Sequence, residues 1–61
     1  DGLAPVQQQC LVAVREFGEL VGGTAEALED GTITKDERER ILRDGHEAVT
    51  AIMGLLKLVG Q

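Results

Sequence analysis

The acidic segment from Asp30 to Glu37 comes nearest to a recognised chemical site in this sequence. Its glycine, its isoleucine two residues later and its closing glutamate match the second half of a calcium-binding EF-hand loop. The first half does not match, because the third position of the loop falls on Leu28, which has no oxygen to offer the ion. Asp30 and Glu37 are too few to hold calcium tightly. The segment is therefore predicted to be a turn between helices, without a metal.

His46 and Cys10 are the other side chains with reactive chemistry of their own. Histidine is the natural candidate for a base, a metal ligand or a pH switch, but the residues three and four positions from His46 on a helix supply neither a metal ligand nor an orienting carboxylate. A single cysteine cannot form an internal disulfide. We expect Cys10 to be a buried apolar group on the first helix, with an interchain disulfide as the alternative. The sequence therefore predicts a protein that is not an enzyme and has no catalytic residue, metal or cofactor.

The composition limits the partners that this chain can bind. Its formal charge is −5, and Phe17 is its only aromatic residue. Nucleic acid is a poor direct partner, since phosphate binding requires clustered basic residues and base stacking requires aromatic rings. The longest apolar stretch, residues 48–60, carries Thr50 and Lys57 and is too short to span a bilayer. We expect a cytoplasmic protein without membrane contact.

A capping box marks the boundary between two predicted helices. Gly31 can adopt the left-handed conformation that closes a helix, and Thr34 and Glu37 have the spacing at which each covers a free N–H of the next helix. We predict helix one over residues 5–30, a turn over 31–34 and helix two over 35–59. The predicted fold is all-α, a two-helix antiparallel hairpin in a single domain of residues 1–61. We interpret this domain as a fragment of a longer chain.

Two stretches leave the local structure open. Gly22 and Gly23 could kink or break helix one, although an unbroken helix is favoured. The charged run over residues 35–47 places opposite charges four residues apart in four pairs, which predicts weak ion pairs on a solvated helix face. The alternative for this run is a charge-matched docking surface.

Apolar residues form a stripe along each predicted helix, with the three- and four-residue steps of a helix face. The stripe on helix one is Val6, Cys10, Val14, Phe17, Val21 and Leu28, widened by Leu11, Leu20 and Ala25. The stripe on helix two is Ile41, Gly45, Ala48, Ile52, Leu55 and Val59, with Leu42, Val49, Met53 and Leu56 beside it. A two-helix hairpin can cover only one side of each stripe.

Self-association is the function that these stripes predict. Chains of this length usually need disulfides, a metal ion or oligomerisation to be stable. A homodimer or higher oligomer would complete a four-helix bundle and bury the uncovered side of each stripe. The predicted oligomer interface is Val14, Phe17, Val21, Leu28, Ile41, Ala48, Val49, Ile52, Met53, Leu55, Leu56 and Val59. The alternative is a small helical adaptor or inhibitor that presents an apolar groove to a different protein.

Part of the sequence resembles a known family. The residues that carry the resemblance are Gly18-Glu19-Leu20, Ala25-Glu26-Ala27-Leu28, Asp30-Gly31-Thr32-Ile33, Glu37-Arg38, Ile41 and Glu47-Ala48. Over about Phe17 to Leu58 this pattern is similar to the C-terminal region of the phage regulatory protein CII family. The resemblance implies the C-terminal part of a transcription regulator, whose role is to join subunits. It also implies that DNA is bound only through an N-terminal helix-turn-helix domain that this chain lacks.

Overall fold

Two α-helices make up the fold. The computed structural model describes residues 2–60, in which α1 spans Ala4–Leu28, α2 spans Lys35–Val59 and residues 29–34 connect them. This range contains no strand. The two helices pack against each other, so the predicted all-α class is confirmed. Asp1 and Gln61, the ends of the predicted domain, lie outside the described residues.

The connection between the helices is a tight turn around Gly31. The regular part of α1 ends at Leu28, two residues before the predicted end, where the N–H of Glu29 reaches back only to the carbonyl of Glu26 at 3.2 Å. The N–H of Gly31 then donates to the carbonyl of Leu28 at 3.0 Å, with a φ of +78° at the glycine. Because side-chain-bearing residues rarely adopt this φ, the turn depends on glycine at this position.

α2 begins with both hydrogen bonds of a capping box. Thr34 is the N-cap, and its hydroxyl oxygen accepts a hydrogen bond from the backbone N–H of Glu37 at 3.1 Å. In return, the Glu37 carboxylate accepts a hydrogen bond from the backbone N–H of Thr34 at 2.9 Å. Asp36 and Glu37 also place negative charge in the first turn, where the helix dipole favours it. These contacts fix the residue at which α2 starts.

α1 runs without a break through Gly22 and Gly23. Gly23 lies at the contact with α2, where an added Cβ would meet the side chains of Arg40 and Asp44 at 3.8–3.9 Å. An added Cβ on Gly22 would meet nothing within 4 Å. The structure therefore shows the unbroken helix that the sequence favoured.

Small and polar residues line much of the contact between the helices. Buried and half-buried positions recur every three or four residues on each helix, and we call this row the seam; Val12, Thr24, Gly45 and Gly54 are half-buried beside it. The seam comprises Val6, Gln9, Ala13, Glu16, Leu20, Gly23 and Ala27 of α1 and Glu37, Ile41, Asp44, Ala48, Ala51, Leu55 and Leu58 of α2. In the described part of the chain, the fully buried hydrophobic residues are Ala27, Ala48 and Ala51. The hairpin thus has a thin core without a large buried side chain.

The stripe predicted on helix one is not the face that meets α2. Both rows include Val6, but from Gln9 onward each seam position of α1 lies one residue before the stripe, which leaves Val14, Phe17 and Val21 exposed. Cys10 was expected to be buried, and this expectation is wrong, because Cys10 follows the seam residue Gln9 and is exposed in the hairpin. Small seam residues allow two helices to approach closely, which larger side chains at the same positions would prevent.

The hairpin is long and thin for its length. It measures 47 × 14 × 12 Å, with a radius of gyration of 14.1 Å against about 10.5 Å for a compact domain of 61 residues. Its accessible surface is 4732 Å², whereas a compact monomer of 6.5 kDa exposes about 3,800 Å². The excess of about 900 Å² is surface that a compact fold of this mass would bury.

Candidate interface on one face of the hairpin

One long face of the hairpin is apolar and exposed. On each helix it is formed by the apolar residues that directly follow seam positions, in rows of three- and four-residue steps that also contain Gln7, Thr24, Arg38 and Gly45. We call this surface the apolar face. It comprises Cys10, Val14, Phe17, Val21 and Leu28 of α1 and Leu42, Val49, Ile52, Leu56 and Val59 of α2.

Helix geometry places both halves of the apolar face on the same side of the hairpin. Each step along an α-helix rotates the side-chain direction by about 100°. α1 and α2 run in opposite directions with their seams facing each other. The side chain that follows a seam position therefore points to the same side of the hairpin on both helices. The two halves therefore form one continuous surface, two helices wide and roughly 37 Å long at about 1.5 Å per residue.

The side chains of the apolar face are large and accessible. Val14 is 70% exposed, Phe17 55% and Leu56 64%. Single exposed apolar residues are common on folded proteins, but a contiguous exposed patch marks an interaction site. The apolar face is therefore the candidate interaction site of the hairpin.

The structure divides the predicted interface residues into three groups. Those on the apolar face are Val14, Phe17, Val21, Leu28, Val49, Ile52, Leu56 and Val59. Met53 is exposed beside them on the outer side of α2. Ile41, Ala48 and Leu55 lie in the seam instead, where α1 covers them and Ala48 is only 2% exposed. The candidate interface is therefore the apolar face with Met53 at its edge, and it also includes Cys10 and Leu42, which the predicted set omits.

The opposite face of the hairpin is polar and of mixed charge. A shallow groove on this side is lined by Gln9, Val12, Glu16, Arg43, His46, Glu47, Thr50 and Ala51. The carboxylates of Glu16 and Glu47 lie in the same groove as the guanidinium of Arg43, so the groove presents no field of one sign to a charged ligand. The two faces of the hairpin thus differ sharply in polarity.

The charged run of α2 is solvated. In the described residues 2–60, the only ion pair joins Arg15 and Glu16, whose Nε and Oε1 atoms are 3.9 Å apart. The four pairs predicted between residues 35 and 47 do not close to ion-pair distance. Exposed pairs contribute only about 0–1 kcal/mol, so the hairpin loses little stability without them.

Gln9 ties the two helices together through a contact that the sequence did not predict. Its side-chain Nε2 donates a hydrogen bond to the carbonyl oxygen of Ala51 at 2.9 Å. The same atom lies 3.0 Å from the position of a Cβ on Gly54, so the glycine leaves room for the amide. Nothing in its residue type distinguishes Gln9 from the two glutamines before it, so the sequence did not predict this hydrogen bond. The available clue was the position of Gln9, which lies in the row of three- and four-residue steps that runs from Val6 to Ala13.

The described residues hold no metal-ligand cluster. In residues 2–60, no three His, Cys, Asp or Glu side chains come together in a way that could hold an ion. Asp30 lies in the turn between the helices, and Glu37 belongs to the capping box. Neither α1 nor α2 combines the length and the apolar character needed to cross a membrane.

Comparison with known proteins adds a family to this geometry. The family described as "Phage regulatory protein CII (CP76)" matches residues 2–61. The match takes in both helices and the turn, well beyond the stretch that carries the resemblance in the sequence. No curated protein and no solved structure gives a significant match to the chain.

Proposed function

Because the chain belongs to the phage regulatory protein CII family, we propose that this segment is the oligomerisation domain of a transcription regulator. A second copy covers the apolar face, and the two hairpins form a four-helix bundle. The segment itself contacts neither DNA nor a membrane, and a separate N-terminal domain of the regulator binds DNA. Its place of action is the cytoplasm, where phage DNA is transcribed.

The apolar face is the observation that carries this proposal. A stable protein interface of standard size buries about 800 Å² on each partner. This is close to the excess of about 900 Å² that the hairpin exposes over a compact monomer of its mass. Pairing two apolar faces would give each subunit the exposed surface of an ordinary folded domain.

The thin core supports the same conclusion. Burial of one large aliphatic or aromatic side chain stabilises a protein by about 1.5–3 kcal/mol. In the described residues, the fully buried hydrophobic side chains are alanines, and the large hydrophobic side chains that are exposed lie mainly on the apolar face. An ordinary domain has a total stability of only about 5–15 kcal/mol. Folding of the hairpin therefore depends on a partner that covers this face.

Charge argues against direct DNA contact by this segment. Four basic residues between positions 35 and 44 are interleaved with four carboxylates, and the whole chain carries a formal charge of −5. Phosphate binding requires basic side chains that are not neutralised by their neighbours. The acidic balance instead suits a segment that joins subunits at a distance from DNA.

Two matched substitutions on α2 test the proposal. Ile52 lies on the apolar face, whereas Thr50 lines the groove on the polar side. We expect Ile52→Asp to abolish the oligomer, since a buried unpaired carboxylate is strongly unfavourable. Thr50→Asp adds the same charge to the same helix and should leave the mass measured by light scattering unchanged.

The outcomes of this experiment separate the two candidate functions. An Ile52→Asp chain that stays helical and keeps its oligomeric mass would remove the apolar face as the interface. A wild-type chain that is monomeric at high concentration would favour the adaptor or inhibitor, in which the apolar face binds a different protein.

A further inference from the structure

Two copies of the hairpin can pair their apolar faces in two directions. A two-fold axis along the helices places both turns at the same end of the bundle, with α1 beside α2 of the partner subunit. A two-fold axis across the helices places the turns at opposite ends, with α1 beside α1 of the partner subunit. We propose the second, antiparallel arrangement, an inference that rests on the proposed self-association.

The distribution of charge along the hairpin favours antiparallel pairing. The half nearer the turn, residues 17–46, carries eight carboxylates and four basic side chains, which gives a formal charge of −4. The other half, residues 2–16 and 47–60, carries two of each and is neutral. A parallel bundle would place two halves of −4 side by side, where like charges repel. An antiparallel bundle places each acidic half beside a neutral one.

Along this face of α1, polar and apolar positions occur in the same order whichever direction the helix is read. Full overlap of the two hairpins puts the two-fold axis between Val14 and Phe17, near the middle of α1. The positions of the face are then paired as Val14 with Phe17, Cys10 with Val21, and Gln7 with Thr24 of the partner subunit. Gln7 and Thr24 are the two polar residues in this row. Antiparallel pairing thus places polar opposite polar and apolar opposite apolar.

The same axis gives a complementary fit along α2. In the hairpin, Leu20 lies beside Gly45 and Gln9 lies beside Gly54, so the middle of α1 is level with Val49. Reversal about this level puts Val49 opposite Val49 of the partner subunit, and Gly45 opposite Ile52. The glycine provides space where the partner presents a large side chain. Leu42 falls opposite Leu56 in the same register.

Parallel pairing lacks this match. At equal heights along the bundle, α1 would lie beside α2 of the partner subunit, so Gln7 would meet Val59. Thr24 would meet Leu42 nearer the turn. Each mismatch places a polar side chain against an apolar one in the interface, which is unfavourable.

The antiparallel register also predicts how cysteines can pair. The two copies of Cys10 are separated by roughly 16 Å along the bundle at about 1.5 Å per residue. A disulfide requires Cα atoms within about 4.4–6.8 Å, so the wild-type chain should not form one in the dimer. Cys10 does lie opposite Val21 of the partner subunit, so Val21→Cys should bring two thiols together.

Disulfide cross-linking of single variants tests the direction. Under mild oxidation we expect Val21→Cys to form a covalent dimer, and Leu56→Cys, which would meet Cys10 in the parallel bundle, to form none. Val21→Cys combined with Cys10→Ser is the matched control and should lose the covalent dimer. Gln7→Cys with Thr24→Cys, in a Cys10→Ser background, should cross-link as an independent second pair.

The results distinguish a wrong direction from a wrong function. Efficient cross-linking of Leu56→Cys without cross-linking of Val21→Cys or of the second pair would overturn the antiparallel arrangement and leave self-association standing. Absence of every cross-link in chains that remain helical and dimeric would also overturn it. Absence of every cross-link in chains that are monomeric by sedimentation would overturn the proposed function itself.

Discussion

Phe17→Ala is the substitution that perturbs the apolar face most strongly with least change to the hairpin itself. Phe17 is the only aromatic residue of the chain and is 55% exposed. Alanine has a higher helix propensity than phenylalanine, so α1 should form at least as readily in the variant. The change should therefore act mainly on association.

The magnitude follows from the exposed area. A phenylalanine side chain can bury about 200 Å², so the 55% that is exposed corresponds to about 110 Å². At about 25 cal/mol per Å² this area is worth about 2.8 kcal/mol, and roughly 2 kcal/mol remains after allowing for the alanine methyl group. Each dimer contains two copies, so the loss is about 4 kcal/mol, or about a thousandfold rise in the dissociation constant of the dimer.

Sedimentation equilibrium measures this dissociation constant directly. Leu11→Ala is the matched control, because Leu11 is exposed to an even greater extent but lies on the outer side of α1, away from the apolar face. It should change the constant by less than about threefold, or about 0.7 kcal/mol. Equal effects of the two substitutions, or no effect of Phe17→Ala, would refute the assignment of the interface to this face.

Three further predictions concern the turn and the helices. Thr34→Ala should lower the free energy of unfolding in denaturant by about 0.5–2 kcal/mol, because it removes the cap of α2, and Thr32→Ala should lower it less; equal effects would show that the capping box contributes nothing. Gly31→Ala should lower the free energy of unfolding by about 1 kcal/mol in the same denaturant titration, since φ is +78° at that position. Gly18→Ala should raise it by about 1 kcal/mol, because alanine favours the helix and the added Cβ has open space around it. Addition of calcium should leave the melting temperature unchanged, because the turn lacks a ligand at the position of Leu28; a clear rise would restore the metal site.

The turn and the helices could be predicted from the sequence because their signals are local. Gly31, Thr34 and Glu37 act through contacts with residues three positions away, so their spacing alone specifies the geometry. The end of α1 was placed two residues late because Glu29 and Asp30 carry no stop signal of their own. The hydrogen bond from Gly31 to Leu28 is what ends the regular helix there.

The choice of seam could not be predicted from the sequence with the same reasoning. Hydrophobicity favoured the row of Phe17 and Val21, because these side chains gain most from leaving water. The hairpin instead uses the neighbouring row, in which Gly23 and Ala27 let α2 approach closely. A clue was present, since that row keeps its three- and four-residue steps without the gap that the larger row shows at Ala25. Which row meets which helix is a tertiary property that composition does not decide.

The mass of the unmodified chain tests the central claim, that a second copy covers the apolar face, more directly than any variant does. Sedimentation equilibrium over a wide range of concentrations should give at least twice the chain mass of 6.5 kDa, with dissociation on dilution accompanied by loss of helicity. A well-folded helical species of 6.5 kDa at every concentration would contradict it, because the hairpin would then be stable with its apolar face in water.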